Sequence, residues 1–216
     1  MFLVAGARAL KKKPGPPFAG QIWKGQAVRI VSGEFRGKAL ITPSGQATRP
    51  TSDRARQAIF NILEHAAWSP GVRDVRVIDL FAGSGALGFE ALSRGAAFCL
   101  FVETDEAARG AIRENVDAMH LFGRTRVHRR DATQLGQRPG ADGPAFGMAF
   151  LDPPYAKGLG EIALAKLAAG GWLAPGALVV FERGADEPPL SAEGYEQLDV
   201  REYGAAKVWF LRYPAE

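Results

Sequence analysis

One cysteine, Cys99, is the only thiol in the 216-residue chain, so an intrachain disulfide is excluded. Its setting, Ala97-Phe98-Cys99-Leu100-Phe101-Val102, is that of a buried, inert side chain rather than a nucleophile. Apolar runs are short: none reaches the roughly 18 residues that a membrane-spanning helix needs. Only three histidines occur, His65, His120 and His128. None has ligand spacing to another or to Cys99, so no metal centre is expected. Neither a Ser-His-Asp arrangement nor a Gly-Lys-Ser/Thr phosphate loop can be traced. The few apolar residues at the start, Met1 to Val4, precede Lys11-Lys12-Lys13, the reverse of a secretory leader. A cytoplasmic protein without a membrane span is expected.

Charge is present but unevenly spread. The chain carries a formal +4 at pH 7, yet residues 1–60 alone carry +9 and the remainder −5. A basic arm on a mildly acidic body suits a phosphate backbone, although a solvated tail has the same composition. Residues 1–25, with Lys11-Lys12-Lys13-Pro14-Gly15-Pro16-Pro17, read as a flexible basic tail. Residues 26–70 read as a hairpin and helix. Val28–Val31 and Lys38–Ile41 are its strands, and Gly33–Gly37 is its turn. Arg49-Pro50-Thr51-Ser52-Asp53 leads into a helix whose apolar stripe is Ala55, Ala58, Ile59, Ile62, Leu63 and Ala66. Arg54 and Arg56 lie off that stripe and are expected to stay wet.

Residues 71–216 alternate between strand and helix patterns. Strands are expected at Val75–Leu80, Phe98–Val102, Arg126–His128, Ala149–Leu151 and Leu178–Phe181, with Asp199–Glu202 and Ala205–Arg212 closing the sheet. Helices are expected at Ala86–Arg94, Glu106–Met119 and Gly160–Ala169. Such alternation defines an α/β fold with a mostly parallel sheet covered on both faces.

Two motifs carry chemistry. The first, Asp79-Leu80-Phe81-Ala82-Gly83-Ser84-Gly85-Ala86-Leu87-Gly88, comes directly after the first sheet strand and opens a helix. Gly83 and Gly85 let the backbone approach a ligand, and Gly88 lets helix and strand pack closely. Glu103 ends the next strand, where an acid can hold the two hydroxyls of a ribose. A dinucleotide fold shares that spacing. Asp79, however, would repel a pyrophosphate and attract the amine and sulfonium of S-adenosylmethionine, unless it only caps the loop. Asp131 can accept from an adenine amino group or simply form its turn. Phe81, Ser84, Thr104 and Ala132 complete the candidate cofactor set.

The second motif is Asp152-Pro153-Pro154-Tyr155, after the apolar strand ending at Leu151. Two prolines stiffen the backbone and remove donors. What remains is a set of acceptors suited to the N–H groups of an exocyclic amine. Tyr155 offers a face for stacking on an extruded base. These four are the candidate catalytic residues, acting by alignment and electrostatics rather than as a strong base. Arg29, Arg36, Lys38, Arg49, Thr51, Arg54 and Arg56 are candidates for one nucleic-acid-binding surface near the crevice. Arg124, Arg126, Arg129 and Arg130 form a second basic cluster.

Arg29 through Lys38, Arg49 through Arg56, Asp79 through Gly88 and Asp152 through Tyr155 occur in that order. In these segments, from about Val28 to Arg212, the chain resembles the bacterial 16S ribosomal RNA guanine-N2 methyltransferase D (RsmD) family. The glycine loop and the Asp-Pro-Pro-Tyr turn are shared by many amino-methylating enzymes. Residues 1–25, which family members mostly lack, and Ser32, where glycine is more usual, depart from the pattern. The resemblance implies a Rossmann-like class I S-adenosylmethionine-dependent methyltransferase fold. Its sheet would be seven-stranded and mostly parallel, with a small basic N-terminal hairpin-and-helix extension. It implies methylation of a guanine N2 in 16S rRNA, within an assembled or partly assembled small ribosomal subunit; a monomer is expected. By carry-over, Asp79, Gly83, Gly85 and Glu103 would hold the cofactor, Asp152 to Tyr155 would present the amine, and Arg29 through Arg56 would meet RNA. A DNA adenine-N6 methyltransferase and a non-catalytic nucleic-acid-binding module are the alternatives. The Asp-Pro-Pro-Tyr turn does not separate adenine N6 from guanine N2.

Overall fold

The computed structural model describes residues 28–43, 52–155 and 157–215. The basic tail, Arg49 and Thr51 lie outside the described residues. Helix α1 (Asp53–His65) precedes β1 (Arg76–Leu80), α2 (Ala86–Ser93), β2 (Phe98–Val102), α3 (Glu106–Ala118) and β3 (Thr125–His128). Then come β4 (Phe146–Leu151), α4 (Leu159–Ala169), β5 (Leu173–Gly184), β6 (Glu196–Tyr203) and β7 (Ala206–Arg212). The strands form one seven-stranded sheet in the order β3-β2-β1-β4-β5-β7-β6. The first five run parallel, and β7 and β6 close the sheet in antiparallel pairs. The order reverses between β1 and β4, which is where open α/β sheets form their binding crevice.

Strand side chains alternate between two cores. Ile59, Phe60, Phe89 and Ile112 from α1, α2 and α3 meet Val77, Phe101 and Phe150 on one face. Leu164 and Leu167 from α4, with Trp172, meet Ile78, Leu100 and Val179 on the other. Gly88 permits the first of these contacts. A Cβ there would lie 2.3 Å from Phe101 Cε1 and 2.7 Å from Cys99 Sγ. Strand β5 begins at Leu173, earlier than its apolar run suggests, because Leu173 already pairs with Phe146 and the chain bends at Gly176 (φ 74°).

The N-terminal hairpin shares the first core, where Val28, Ile30 and Leu40 are buried. Its expected strands reduce to one bridge, Arg29 to Ala39, with Ile30 N donating to Lys38 O and Leu40 N to Val28 O. The ladder stops because the next amides turn to a helix instead. Val31 N (2.7 Å) and Ser32 N (3.0 Å) donate to the Glu90 carboxylate on α2. Gly33, at φ 84°, rests on the end of α2, where a Cβ would fall 1.9 Å from Ser93 O.

Helix α1 corrects one expectation. Ser52 caps it, accepting from Ala55 N as the sequence suggests. Arg56, expected to be wet, is fully buried. The buried stripe runs through Arg56, Ile59, Phe60 and Leu63, so the helix is turned toward Phe60, which packs on Phe150. Arg56 is tolerated there because it donates to Arg29 O (2.6 Å) and Asp53 Oδ1 (2.7 Å) and faces Glu90 at 3.8 Å. Arg94 meets the same Glu90 carboxylate at 2.7 Å and Glu64 at 2.9 Å.

Candidate active site

Register aligns the strand ends. His128, Val102, Leu80, Leu151 and Phe181 lie side by side as paired residues of β3, β2, β1, β4 and β5. The segments leaving these ends therefore emerge on one edge: Asp131, Glu103, the loop Phe81–Gly85, Asp152–Tyr155 and Glu182. The glycine loop and the Asp-Pro-Pro-Tyr turn leave adjacent strands at the same level.

The loop is held from beneath and behind. Asp79 is buried, 2% exposed, and its Oδ2 accepts from Gly88 N at 3.0 Å. It caps the first turn of α2 under the loop, so of its two expected roles the cap is the one the geometry displays. Burial pushes its carboxyl up to about 8, with the Glu103 charge adding and the Gly88 N–H opposing. Phe81 sits at φ 59°, a conformation that costs a non-glycine residue strain and recurs at functional loops. Gly83 has φ 53°, and a Cβ there would meet nothing closer than Phe81 O at 3.9 Å, so that face is open to a ligand. Glu103 ties two loops together: Oε2 accepts from Gly83 N and Oε1 from Asp105 N, each at 2.8 Å. Thr104 Oγ1 lies 3.4 Å from the same carboxylate. Asp131 Oδ1 accepts from Thr133 N (2.8 Å) and Oγ1 (2.7 Å), forming its own turn and placing buried Ala132 beneath. Ser84 is half-buried on the loop.

Asp79 gives the fold a pH dependence. Its folded pKa of about 8 lies above the ordinary 3.8, so the folded state keeps a proton that the unfolded chain releases. Folding stability from this group is then unaffected at low pH, declines from about pH 4 to about pH 8, and levels off above. Asp79→Asn is expected to remove that decline. Urea unfolding of both proteins between about pH 5 and pH 8.5 checks it, and parallel pH profiles would contradict it.

On the other side of the crevice, Pro153 is buried, Asp152 half-buried, and Pro154 and Tyr155 exposed. Gly160 lets α4 close on this turn, since a Cβ there would lie 2.1 Å from Phe181 and 3.0 Å from Pro153. The Tyr155 hydroxyl donates to Glu182 Oε1 at 2.6 Å. Glu182 is a residue that the strand pattern passes over. Its signal was an acid placed directly after the apolar run Leu178–Phe181. Among the described residues, no group of three or more His, Cys, Asp or Glu could hold a metal ion. No helix of the described residues is long and apolar enough to cross a membrane.

The basic candidates divide. Helix α1 enters from the crevice end: Phe60 packs near the end of β4, and the carbonyl of Trp68 further on accepts from Arg212, in register with Leu178 near the start of the β4–β5 pairing. Exposed Arg54 sits at its first turn, and Arg29 reaches Asp53 there at 3.4 Å. Arg36, on the hairpin tip, lies toward the opposite end, and Lys38, although its backbone is next to the Arg29–Ala39 bridge, reaches toward it. The hairpin tip contacts Ser93 through Glu34 N, Arg124 pairs with Glu34, and Lys38 Nζ donates to Ala118 O. All of these precede β2 or β3 or end α3. The single surface expected near the crevice is thus two, and buried Arg56 belongs to neither, because a fully enclosed guanidinium cannot reach a phosphate. Of the second cluster, Arg126 pairs with Asp142 at 2.6 Å and Arg130 donates to Leu135 O.

The chain matches the family described as "Conserved hypothetical protein 95" over residues 28–212. It is 38% identical over 171 residues to ribosomal RNA small subunit methyltransferase D of Escherichia coli K12, covering 79% of each chain. Against the protein of the same name from Haemophilus influenzae it is 34% identical over 178 residues, 82% of this chain and 89% of that one. The solved structure of Escherichia coli yhhF superposes with a TM-score of 0.75 at 32% identity, covering 88% of this chain and 99% of that one. Sheet order and the likeness to that structure together define a Rossmann-like class I methyltransferase fold. The chain belongs to the ribosomal RNA small subunit methyltransferase D family.

Proposed function

We propose that this protein transfers a methyl group from S-adenosylmethionine to the exocyclic N2 of a guanine in 16S rRNA. The observation that supports this is the adjacency of the β1 and β4 ends, from which the glycine loop and the Asp-Pro-Pro-Tyr turn leave the sheet. The relatives named small subunit methyltransferase D supply the choice of nucleic acid. S-adenosylmethionine, when bound, contributes a methyl group on a sulfonium centre. The residues present suit it: open backbone at Gly83, a carboxylate at Glu103 for ribose hydroxyls, and the turn at Asp131 and Ala132 for the adenine. Phe81, Ser84, Gly85 and Thr104 shape the same loops. A cation held over the loop also favours the ionised form of Asp79.

Asp152 accepts N–H hydrogen bonds from the target amine and turns its lone pair toward the methyl. Pro153 and Pro154 hold that acceptor in place without offering competing donors. Tyr155 stacks on the extruded base. The chain acts as a monomer on an assembled or partly assembled small subunit, in the cytoplasm. Arg29 and Arg54 meet the phosphate backbone beside the crevice, and Arg49 and Thr51 add to that contact. Arg36 and Lys38 make a more distant contact.

The test is transfer of labelled methyl to small ribosomal subunits from a strain lacking the activity, with free 16S rRNA, DNA and ribosomal protein as parallel acceptors. Label in the 16S rRNA of the subunits is expected; label confined to DNA or protein would reject the proposal. Arg54→Ala is expected to weaken subunit binding several-fold and reduce the slope of log affinity against log salt by about 0.7–0.9. An unchanged slope in a salt titration would return Arg54 to a solvated face.

A further inference from the structure

We propose that Glu182 is a positioning residue for this reaction: it anchors the Tyr155 hydroxyl so that the ring stands as a fixed wall against the extruded base. The inference rests on the amine-methylating reading of the crevice and deepens it. Glu182 is 6% exposed and lies in β5 between two paired strands, with Phe181 in register with Leu151 on one side and Glu182 itself with Val208 on the other. Its backbone is therefore fixed on the sheet, one residue beyond the level at which Asp152 leaves it. Tyr155, by contrast, is 40% exposed on a turn. That turn cannot be tied by amides at two of its positions, because Pro153 and Pro154 have none.

The side-chain bond from Tyr155 to Glu182, at 2.6 Å, joins the turn to the sheet. It has the short length of a hydroxyl donating to a carboxylate. Burial, then the bond to Glu182 and the charges of Glu182, Asp152 and Glu187, hold the phenol protonated well above its ordinary range, so the donor persists at any working pH. An aromatic ring anchored before the base arrives holds the stacked base in one orientation for the chemical step. The gain falls on alignment of the reacting amine, not on affinity for the RNA, which remote basic contacts set.

The experiment measures steady-state methyl transfer to small subunits by the full chain for Tyr155→Phe, Glu182→Ala, Glu182→Gln and the double variant Tyr155→Phe with Glu182→Ala. Tyr155→Phe keeps the ring and removes the donor. It and Glu182→Ala are each expected to lower kcat by about tenfold or more, with KM for the subunit near wild type. The double variant is expected to be no worse than the weaker single, the signature of one shared interaction. Glu182→Gln keeps an acceptor and is expected to recover most of kcat. Wild-type kcat in Tyr155→Phe, additive losses in the double variant, or a Gln variant as impaired as Ala would each overturn the anchor. If Glu182→Ala does not fold, Tyr155→Phe and Glu182→Gln decide alone. Failure of the wild-type chain to methylate any nucleic acid would instead remove the function on which the anchor rests.

Discussion

Asp152→Ala is expected to lower methyl transfer by about 100-fold or more while leaving S-adenosylmethionine affinity within a few-fold of wild type. The size reflects the task of the side chain. An exocyclic amine conjugated to its ring is a poor nucleophile, and positive charge grows on its nitrogen as the methyl arrives. A fixed acceptor aimed at its N–H groups stabilises that charge in the transition state more than in the ground state. Removing one such preorganised group typically costs about 10²–10³ in kcat. Cofactor affinity is expected to be spared because the contacts proposed for it belong to other strands. The Glu103 carboxylate ties Gly83 and Asp105, and Asp131 holds Thr133, with no involvement of the turn after β4. Asp152→Asn keeps a carbonyl acceptor and is expected to fall between wild type and Ala. Calorimetry with the cofactor and single-turnover transfer separate the two effects. A rate near wild type in Asp152→Ala would remove the turn from the chemistry.

Glu90→Ala is expected to destabilise the fold by about 3–5 kcal/mol, the usual cost of breaking a buried ion pair from one side. Glu90 is completely buried, and its two oxygens receive Val31 N, Ser32 N and Arg94 Nε while facing Arg56. Its loss leaves two guanidiniums and two amides short of their acceptor in a place that water does not reach. The damage is also specific, because these amides are where the hairpin docks on α2. Urea unfolding measures the total, and protease sensitivity of the hairpin shows where it falls. A loss below about 1 kcal/mol would mean that the cluster relaxes or hydrates when opened.

The glycine loop and the proline turn are plain in the sequence, whereas their buried supports are not. Asp79–Gly88 and Asp152–Tyr155 are legible because each comes after an apolar strand and each uses residues whose backbone behaviour is intrinsic. Glycine opens the loop at Gly83, and proline stiffens the turn at Pro153 and Pro154. The parallel order that joins them comes from strand and helix alternation. Arg56 is not legible. Local pattern treats an arginine as solvated, whereas its partner Glu90 arrives from another helix. A hint exists in Glu90 itself, an acid inside the apolar stretch Leu87–Leu92. Glu182 escapes for a related reason: its partner is a tyrosine on a neighbouring loop, and only sheet register brings the two together. Charge alone assigns the hairpin tip to the crevice. Gly33, with no side chain to hold it away from Ser93, docks it at the other end.

The most direct check on the whole account is the chemical identity of the methylated product. Small subunits lacking the modification would be incubated with the protein and S-adenosylmethionine, and their 16S rRNA digested to nucleosides for mass spectrometry. N2-methylguanosine should appear, and its rate of formation should fall by about 100-fold or more when Asp152→Ala replaces the wild type. N6-methyladenosine in its place, or no methylated nucleoside from a chain that binds the cofactor, would contradict the assignment.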